Sequence, residues 1–498
     1  FSFRSTFSYD INKSVDLQYY DTLSPYSIIQ GGKLPIASLD TTTRKTITNS
    51  NVLSYSLKDW HKKHDIDVLV GQETYDLRTE GHYNLFRNFK MPESYWDAFT
   101  HTEKGVPFAG YPQKSETRYT NLSFFGRLNY AFDDKYLVSF NMRADGASKF
   151  GPEYSKKWGI FPAGSVAWRV KKEAFLQDVN FISDLKFRAG FGTTGNNRID
   201  DYLFLTTFRG NGTYYYGLNN QTVIGYYPAS LPNPDLKWES TVSKNIGLDL
   251  SLLRNRINLT VDVYKNTSKD LLLFVPIAST YGYSTQYQNV GKSENKGVEL
   301  QLNGAILRNP KGLNWNANFN ISFNKNKILQ LGKNQTQFFP AASWGVSGQP
   351  TDYIVRIGDP VGAMWGLVTD GFYKVSDFDY NTATGVYTLK TGVVSDAGII
   401  GTVQPGAIKF KDLNGDGQID LNNDRQIIGN PNPKFTGGLS QQLSYKRWDM
   451  SLFINFSYGN DVYNANKIEL TNGYSNNANM LDVMAGRWKV VTSTGQTA

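Results

Sequence analysis

The sequence predicts an all-β chain that folds as a transmembrane antiparallel β-barrel, with long extracellular loops and short periplasmic turns. Three observations carry that prediction: strict period-two alternation in run after run, connections that alternate in length, and an aromatic content larger than a globular core needs. In the clearest run Trp315, Ala317, Phe319, Ile321 and Phe323 make one face, while Asn314, Asn316, Asn318, Asn320, Ser322 and Asn324 make the other. A strand divided in this way separates two solvents.

Taken in chain order, strand-like runs open at Phe1 to Ser8, Thr41 to Leu57 and Asp65 to Asp76. Next, Tyr136, Val138, Phe140 and Met142 alternate with Ser139, Asn141 and Arg143, and Leu185, Phe187, Ala189 and Phe191 alternate with Lys186 and Arg188. Ile257, Leu259, Val261 and Val263 oppose Asn258, Thr260 and Asp262, and Trp448, Met450, Leu452, Ile454 and Phe456 end the series within a run closing at Ser451 to Ser457. The runs last about 9 to 11 residues, the length of a tilted strand that crosses a bilayer. About 13 such strands are counted, and an odd number leaves a single-chain bacterial barrel unfinished.

Short connections fall at Phe132-Asp133-Asp134, Leu252 to Asn255, Asn309 to Gly312 and Lys446-Arg447. Long polar ones fall between them, at Asp145 to Lys156, Thr194 to Lys237, Ser268 to Asn289 and Lys325 to Asn432. The competing reading, a chain of β-sandwich domains, also gives short alternating strands, but a sandwich does not need ten-residue strands with asparagine at every second position.

The third observation is compositional. Among 498 residues, 31 Tyr, 30 Phe and 10 Trp make 14% aromatic, against 40% hydrophobic and 19% charged. Rings such as Tyr130, Phe132, Tyr136, Tyr445 and Trp448 sit near strand ends, where girdles form at the headgroup levels. A mean hydropathy of −0.43 fits as well, because only one face of each strand meets lipid. The longest apolar stretch, Leu271 to Ala278, is far too short for a membrane helix. The net charge of +8 is spread along the chain without a basic block, which argues against nucleic-acid binding. With no cysteine, disulfides, thiolate metal sites and cysteine nucleophiles are excluded. Phe1 opens straight into strand-like sequence and Asn460 to Ala498 reads as polar and irregular. The expectation is therefore one partial barrel over residues 1–498, the inside of something longer.

A set of ordered motifs resembles the SusC/RagA-type TonB-dependent transporters of the Bacteroidota. They are Arg143-Ala-Asp-Gly-Ala-Ser-Lys-Phe-Gly151, Trp158-Gly-Ile-Phe-Pro162, Val166-Ala-Trp168, Ile182-Ser-Asp-Leu-Lys-Phe-Arg188 and Gly192-Thr-Thr-Gly-Asn196. They continue in Asn233-Pro-Asp-Leu-Lys-Trp-Glu239, Asn289-Val-Gly291, Asn295-Lys-Gly-Val-Glu-Leu300, Asp412-Leu-Asn-Gly-Asp-Gly417 and Gly429-Asn-Pro-Asn-Pro-Lys-Phe-Thr-Gly437. The resemblance implies a 22-stranded outer-membrane barrel plugged by an N-terminal domain. It further implies energy from TonB-ExbB-ExbD, a SusD-like surface lipoprotein as partner, and uptake of a small nutrient ligand, an oligosaccharide or a peptide. Plug and final strands fall outside these residues. A barrel of this type recruited as a structural subunit of another outer-membrane complex would read the same way.

The sharpest local motif places oxygen donors at Asp412, Asn414, Asp416, Gln418 and Asp420, with Gly417 at the sixth position. Alternate carboxylates on a tight turn converge on one hard cation, so the loop is read as a structural calcium site. Asn423 stands where the bidentate glutamate belongs and Asp424 follows it, which leaves the last ligand open between a displaced Asp424 and none. Tyr214, Tyr215 and Tyr216, with Trp344, are candidates for stacking on a ligand or on a partner's lid from the long loops. Tyr226-Tyr227, Tyr281 and Tyr283 share that setting. Gly291-Lys292-Ser293 lacks the upstream glycine of a phosphate loop, since Gln286 stands there. His61 and His64 share a basic turn and read as solvated. No zinc-hydrolase or nucleophile-elbow pattern occurs, so no catalytic residue is assigned.

Overall fold

A chain of period-two runs can satisfy its backbone only by pairing each run with a neighbour, and short turns make that neighbour the next run in sequence. The computed structural model describes residues 1–89, 94–108, 113–218, 221–309, 312–332, 335–340, 351–471 and 479–487. The chain forms two compact units, Phe1–Lys292 and Ser293–Ala498.

In the first unit the wall strands are Ser2–Tyr20, Ile36–Trp60, His64–Arg87, Gln113–Phe132, Tyr136–Ala147, Trp158–Arg169, Ile182–Asn196, Glu239–Leu252 and Ile257–Lys269. Each pairs antiparallel with the next. The second unit contributes Lys292–Leu307, Leu313–Gln330, Phe435–Tyr445 and Trp448–Tyr458, again in sequential order. Among the described residues these thirteen make the main path of a 14-stranded sheet, against about 13 strands expected, and the two-residue Val106–Pro107 strand pairs off it.

Their lengths differ from the prediction. Ile36–Trp60 has 25 residues and His64–Arg87 has 24, with pairing nearly continuous from Ile36↔Arg87 to Leu57↔Ile66. At about 3.3 Å per residue such strands outrun a hydrocarbon layer about 30 Å thick even when tilted. Beyond lipid the hydrogen bonds continue while the apolar alternation stops, as in Leu77-Arg78-Thr79-Glu80-Gly81 past the expected Asp65 to Asp76 run, so the sequence signal ends before the strand does. For the same reason Asp145, expected in a loop, lies inside the Tyr136–Ala147 strand and is buried. The long loops are also less irregular than expected. Paired segments Phe208–Leu218 with Gln221–Pro228, and Leu272–Pro276 with Thr285–Asn289, form hairpins within them.

Three of the short connections turn without glycine. Asp133 and Asp134 have φ of 55° and 51°, Leu253, Arg254 and Asn255 have 54°, 56° and 61°, and Lys446 has 55°. Two-residue turns need this left-handed backbone to match strand twist, and Asp and Asn tolerate it best among residues with a Cβ.

Wall strands are inverted relative to a soluble sheet. Ile246 is 66% exposed, Val166 53% and Phe140 48% on the apolar face. On the opposite face Arg188 and Asp249 are only 29% and 27% exposed. There Arg188 donates to both oxygens of Asp249 at 2.9 and 3.0 Å and to Asp262 at 3.1 Å, across three strands. Lys186 joins at 2.8 Å from Asp249, and the Asn245 amide donates to Asp262 at 2.9 Å. Gly247 lies beneath this ladder: a Cβ there would fall 2.4 Å from Asp262 Oδ1 and 2.6 Å from Arg188 Nη2.

Ile246→Arg places a charge on the apolar face near mid-strand, at an expected cost of about 2–4 kcal/mol. Ser243→Arg, three residues away, enters a hollow of about 330 Å³ shared with Ala163, Gly190 and Gly192 on the polar face. The folded, heat-modifiable fraction on a gel should fall for Ile246→Arg and hold for Ser243→Arg, and equal losses would overturn the two-solvent assignment.

Candidate functional site

Glycine and acid-amide residues build the loop after Ile408–Phe410. Gly415 and Gly417 take φ of 79° and 80°, which lets the chain double back within four residues. Asp412 then accepts the N–H of Gly415 at 2.6 Å and of Gly417 at 2.8 Å. Asn414 Oδ1 accepts from the N–H of Asp416 at 3.2 Å, and Asp416 Oδ1 accepts from that of Gln418 at 2.8 Å. Positions 1, 3 and 5 are thus each fixed by the backbone ahead of them. The N–H groups of Gly417 and Gly415 hold the Asp412 carboxyl below the usual carboxylate range.

The later positions do other work. Asp420 caps the following turn, accepting from the N–H groups of Asn422 and Asn423 at 2.6 and 2.9 Å and from the Asn423 amide at 2.8 Å. Asp424 is fully buried and clamps the loop shut: Oδ1 accepts the Leu413 N–H at 2.9 Å and Oδ2 the Asp420 N–H at 2.8 Å. Gln418 pairs with Ser395 in a parallel bridge, placing its backbone against a neighbouring segment. The Asn414 amide also donates to Asp416 Oδ2 at 2.8 Å. Among the described residues no three His, Cys, Asp or Glu side chains converge closely enough to hold a metal ion.

Beneath this loop lies a group that sequence reasoning missed. Asp396 is fully buried; Oδ2 accepts the Phe410 N–H at 3.0 Å, while Oδ1 has no hydrogen-bond partner. Tyr373, also fully buried, donates to the Val394 carbonyl at 2.8 Å and accepts the Asp396 N–H at 3.1 Å. Burial pushes the Asp396 carboxyl up from its ordinary value, and Asp424 nearby adds to the rise. An isolated Asp in Ser-Asp-Ala carries no sequence signal for such burial.

Of the aromatic candidates, Tyr214, Tyr215 and Tyr216 belong to the Phe208–Leu218 strand instead of an irregular loop. Trp344 lies outside the described residues. Tyr226, 72% exposed, and Tyr281, 65% exposed, present rings from the neighbouring hairpins, and Tyr283 donates to the Pro228 carbonyl at 3.4 Å. Two of the motifs prove to be parts of one clasp. The Asn289 side chain accepts the Lys237 N–H and donates to the Lys237 carbonyl, both at 2.8 Å. Asn233 meanwhile donates to the Tyr287 carbonyl at 2.7 Å. His64 joins Tyr130 Oη at 2.8 Å at the end of its strand.

Comparison with known proteins gives this geometry a context. The family model described as TonB dependent receptor-like, beta-barrel matches residues 1–495. TonB-dependent receptor P3 of Formosa agariphila is 34% identical over 430 residues, 86% of this chain and 40% of the relative. TonB-dependent receptor SusC of Bacteroides thetaiotaomicron is 33% identical over 427 residues, 83% of this chain and 38% of the relative. A solved structure of the RagAB peptide transporter superposes with a TM-score of 0.76 at 23% identity, covering 95% of this chain and 47% of that one, a likeness of fold. The chain spans about two-fifths of the length of these curated relatives. It belongs to the TonB-dependent receptor-like β-barrel family, whose members are outer-membrane receptors and transporters and not enzymes.

Proposed function

We propose that the protein imports a nutrient, an oligosaccharide or a peptide, across the outer membrane, energised through TonB-ExbB-ExbD and working with a SusD-like surface lipoprotein. The observation that supports this most is the inverted wall, with apolar side chains outward and paired charges such as Arg188, Asp249 and Asp262 on the protected face. That face offers a solute polar contacts, and in this cluster Lys186 and Arg188 are matched by Asp249 and Asp262. Exposed rings at Tyr226 and Tyr281 fit the same reading, since aromatic faces stack on sugars and pack against a lid. The RagAB peptide transporter, whose likeness of fold is described above, is named for one of these two classes, the peptides.

Cells carrying the full-length protein should accumulate labelled oligosaccharides or peptides and lose that accumulation when TonB is deleted. Accumulation that is absent with TonB intact, in cells where the barrel still assembles, would favour a scaffold role in another outer-membrane complex.

We further propose that Asp412, Asn414 and Asp416 hold a calcium ion that stiffens the loop before the Phe435–Tyr445 strand, with Asp424 serving as the internal clamp. Bound calcium supplies charge neutralisation to the two carboxylates and nothing more. Chelation should then raise proteolytic cleavage within 411–420 while leaving the heat-modifiable barrel unchanged, and no change on chelation would remove the ion from the account. Asp396 titrates independently of that test. Its raised carboxyl value means that loop stability is full below the ordinary Asp value near 3.9 and declines as pH rises through the folded-state value. Amide exchange at Phe410, corrected for intrinsic rate, should therefore be faster at pH 8 than at pH 4.5. Asp396→Asn should remove most of that difference.

A further inference from the structure

The connector that joins Trp158–Arg169 to Ile182–Asn196 is the longest of the first unit's turn-side connections, and its backbone is unusually self-sufficient. It carries a 3-10 turn at Val170–Lys172 and a helical turn at Ala174–Gln177. Helix ends leave carbonyls that ordinarily need water. Here the Lys171 ammonium donates to the carbonyls of Leu176 at 2.8 Å, Gln177 at 3.2 Å and Val179 at 2.8 Å, and the Gln177 amide donates to the Lys172 carbonyl at 3.1 Å. A segment whose acceptors are met from within loses little on entering a water-poor layer.

Its side chains point the same way. Phe175 is 68% exposed and Phe181 56%, and Leu253 of the adjoining turn, whose N–H donates to the Phe181 carbonyl at 2.9 Å, is 44% exposed. This patch continues the apolar face of the wall. Glu173 Oε1 accepts from Tyr136 Oη at 2.7 Å and from Trp168 Nε1 at 3.0 Å, two rings on that face, so the connector starts from its lower edge. Phe187, directly opposite Trp168 on the neighbouring strand, stands with its ring 6.5 Å from the Trp168 ring. Charge at the segment is handled locally: Lys172 and Arg169 pair with Asp134, and Lys135 reaches Glu173 at 3.7 Å. Arg254 in the adjoining turn is exposed, and among the described residues its side chain meets neither a carboxylate nor a hydrogen-bond acceptor. An exposed guanidinium beside these rings is placed to reach a phospholipid phosphate at the headgroup level.

We propose that residues 170–181 form an interfacial anchor, seated in the headgroup layer of the periplasmic leaflet, with Phe175 and Phe181 inserted at the acyl boundary and Arg254 on a lipid phosphate. The occupant is a phospholipid surface, continuous with the lipid already covering the wall. The anchor fixes the height of the short-turn rim in the membrane. This inference rests on the outer-membrane placement of the family and not on the import reading, so loss of transport activity does not bear on it.

The test uses the full-length protein in liposomes of phosphatidylethanolamine and phosphatidylglycerol at 3:1. These 498 residues contain no cysteine, so once any cysteine elsewhere in the full-length chain is replaced by serine, single spin labels can be set at Phe175→Cys and at Asp178→Cys, with heat-modifiable mobility confirming assembly. Burying a Phe-sized group favours lipid over water by about tenfold or more. The label at 175 should collide with lipid-soluble oxygen far more than with a charged nickel chelate, and the label at 178 should show the reverse. Adding Arg254→Gln should shift the label at 175 toward the chelate. A label at 175 as open to the chelate as the one at 178 overturns the anchor and leaves the patch as a docking face for a periplasmic protein.

Discussion

A strand inside hydrocarbon has no water to meet its N–H and C=O groups, so each must be met by the strand beside it. Nearly every feature of the wall follows from that constraint. Unbroken pairing such as Ser2↔Ser54 through Tyr20↔Ile36 leaves no gap for a loop or a helix. Sequential antiparallel order is the arrangement that short turns permit, and the glycine-free turns at Asp133-Asp134 and Leu253 to Asn255 accept left-handed backbone to keep it. Once pairing is fixed, period-two geometry sends alternate side chains to opposite solvents, and composition does the rest.

The charged ladder on the polar face has a second consequence. Part-exposed ion pairs such as Arg188 with Asp249 contribute little net stability. Their larger effect is on register. A slip of one residue would turn Arg188, Asp249 and Asp262 toward lipid, where an arginine alone costs about 2–4 kcal/mol near the midplane. Gly247 serves the same end by leaving space for the guanidinium between strands. The pairs thus act by making the wrong pairing expensive. Arg143 does this farther along, joined to both oxygens of Asp145 at 2.8 and 2.9 Å and to Ser123 at 2.8 Å.

How much could be read in advance depends on the range of the signal. Alternation is a local property, so strand number, order and facing were legible from runs like Trp315 to Phe323. Strand length was not, because pairing beyond the membrane is enforced by the neighbouring strand and leaves polar sequence such as Leu77 to Gly81, past the expected Asp65 to Asp76 run, without a strand signal of its own. In the acidic loop the spacing revealed Asp412, Asn414 and Asp416, whose contacts lie within five residues. It did not reveal that Asp424 clamps the loop through the Leu413 N–H, eleven residues earlier, and it was silent on Asp396, buried by Tyr373 and Phe410 from two other segments. The Asn233 and Asn289 motifs were visible as motifs, yet their joint use as a clasp needed the fold.

Wall and loops therefore obey different rules. The wall is ordered by partition between solvents, which tolerates many sequences with the same alternation. Loops here are ordered by small sets of specific donors and acceptors: Asn289 on Lys237, Asp424 across the acidic turn, and the buried knot of Ala147, Phe150, Ile199 and Leu236. Such sets hold a loop rigid without drawing on the wall, so rings at Tyr226 or Tyr281 can be exchanged while the strands keep their pairing. A family that keeps one barrel and changes what it carries needs that separation. The polar clasps are then the part of the loops that must stay, because removing one buried acceptor leaves two backbone donors unmet, at about 1–3 kcal/mol each.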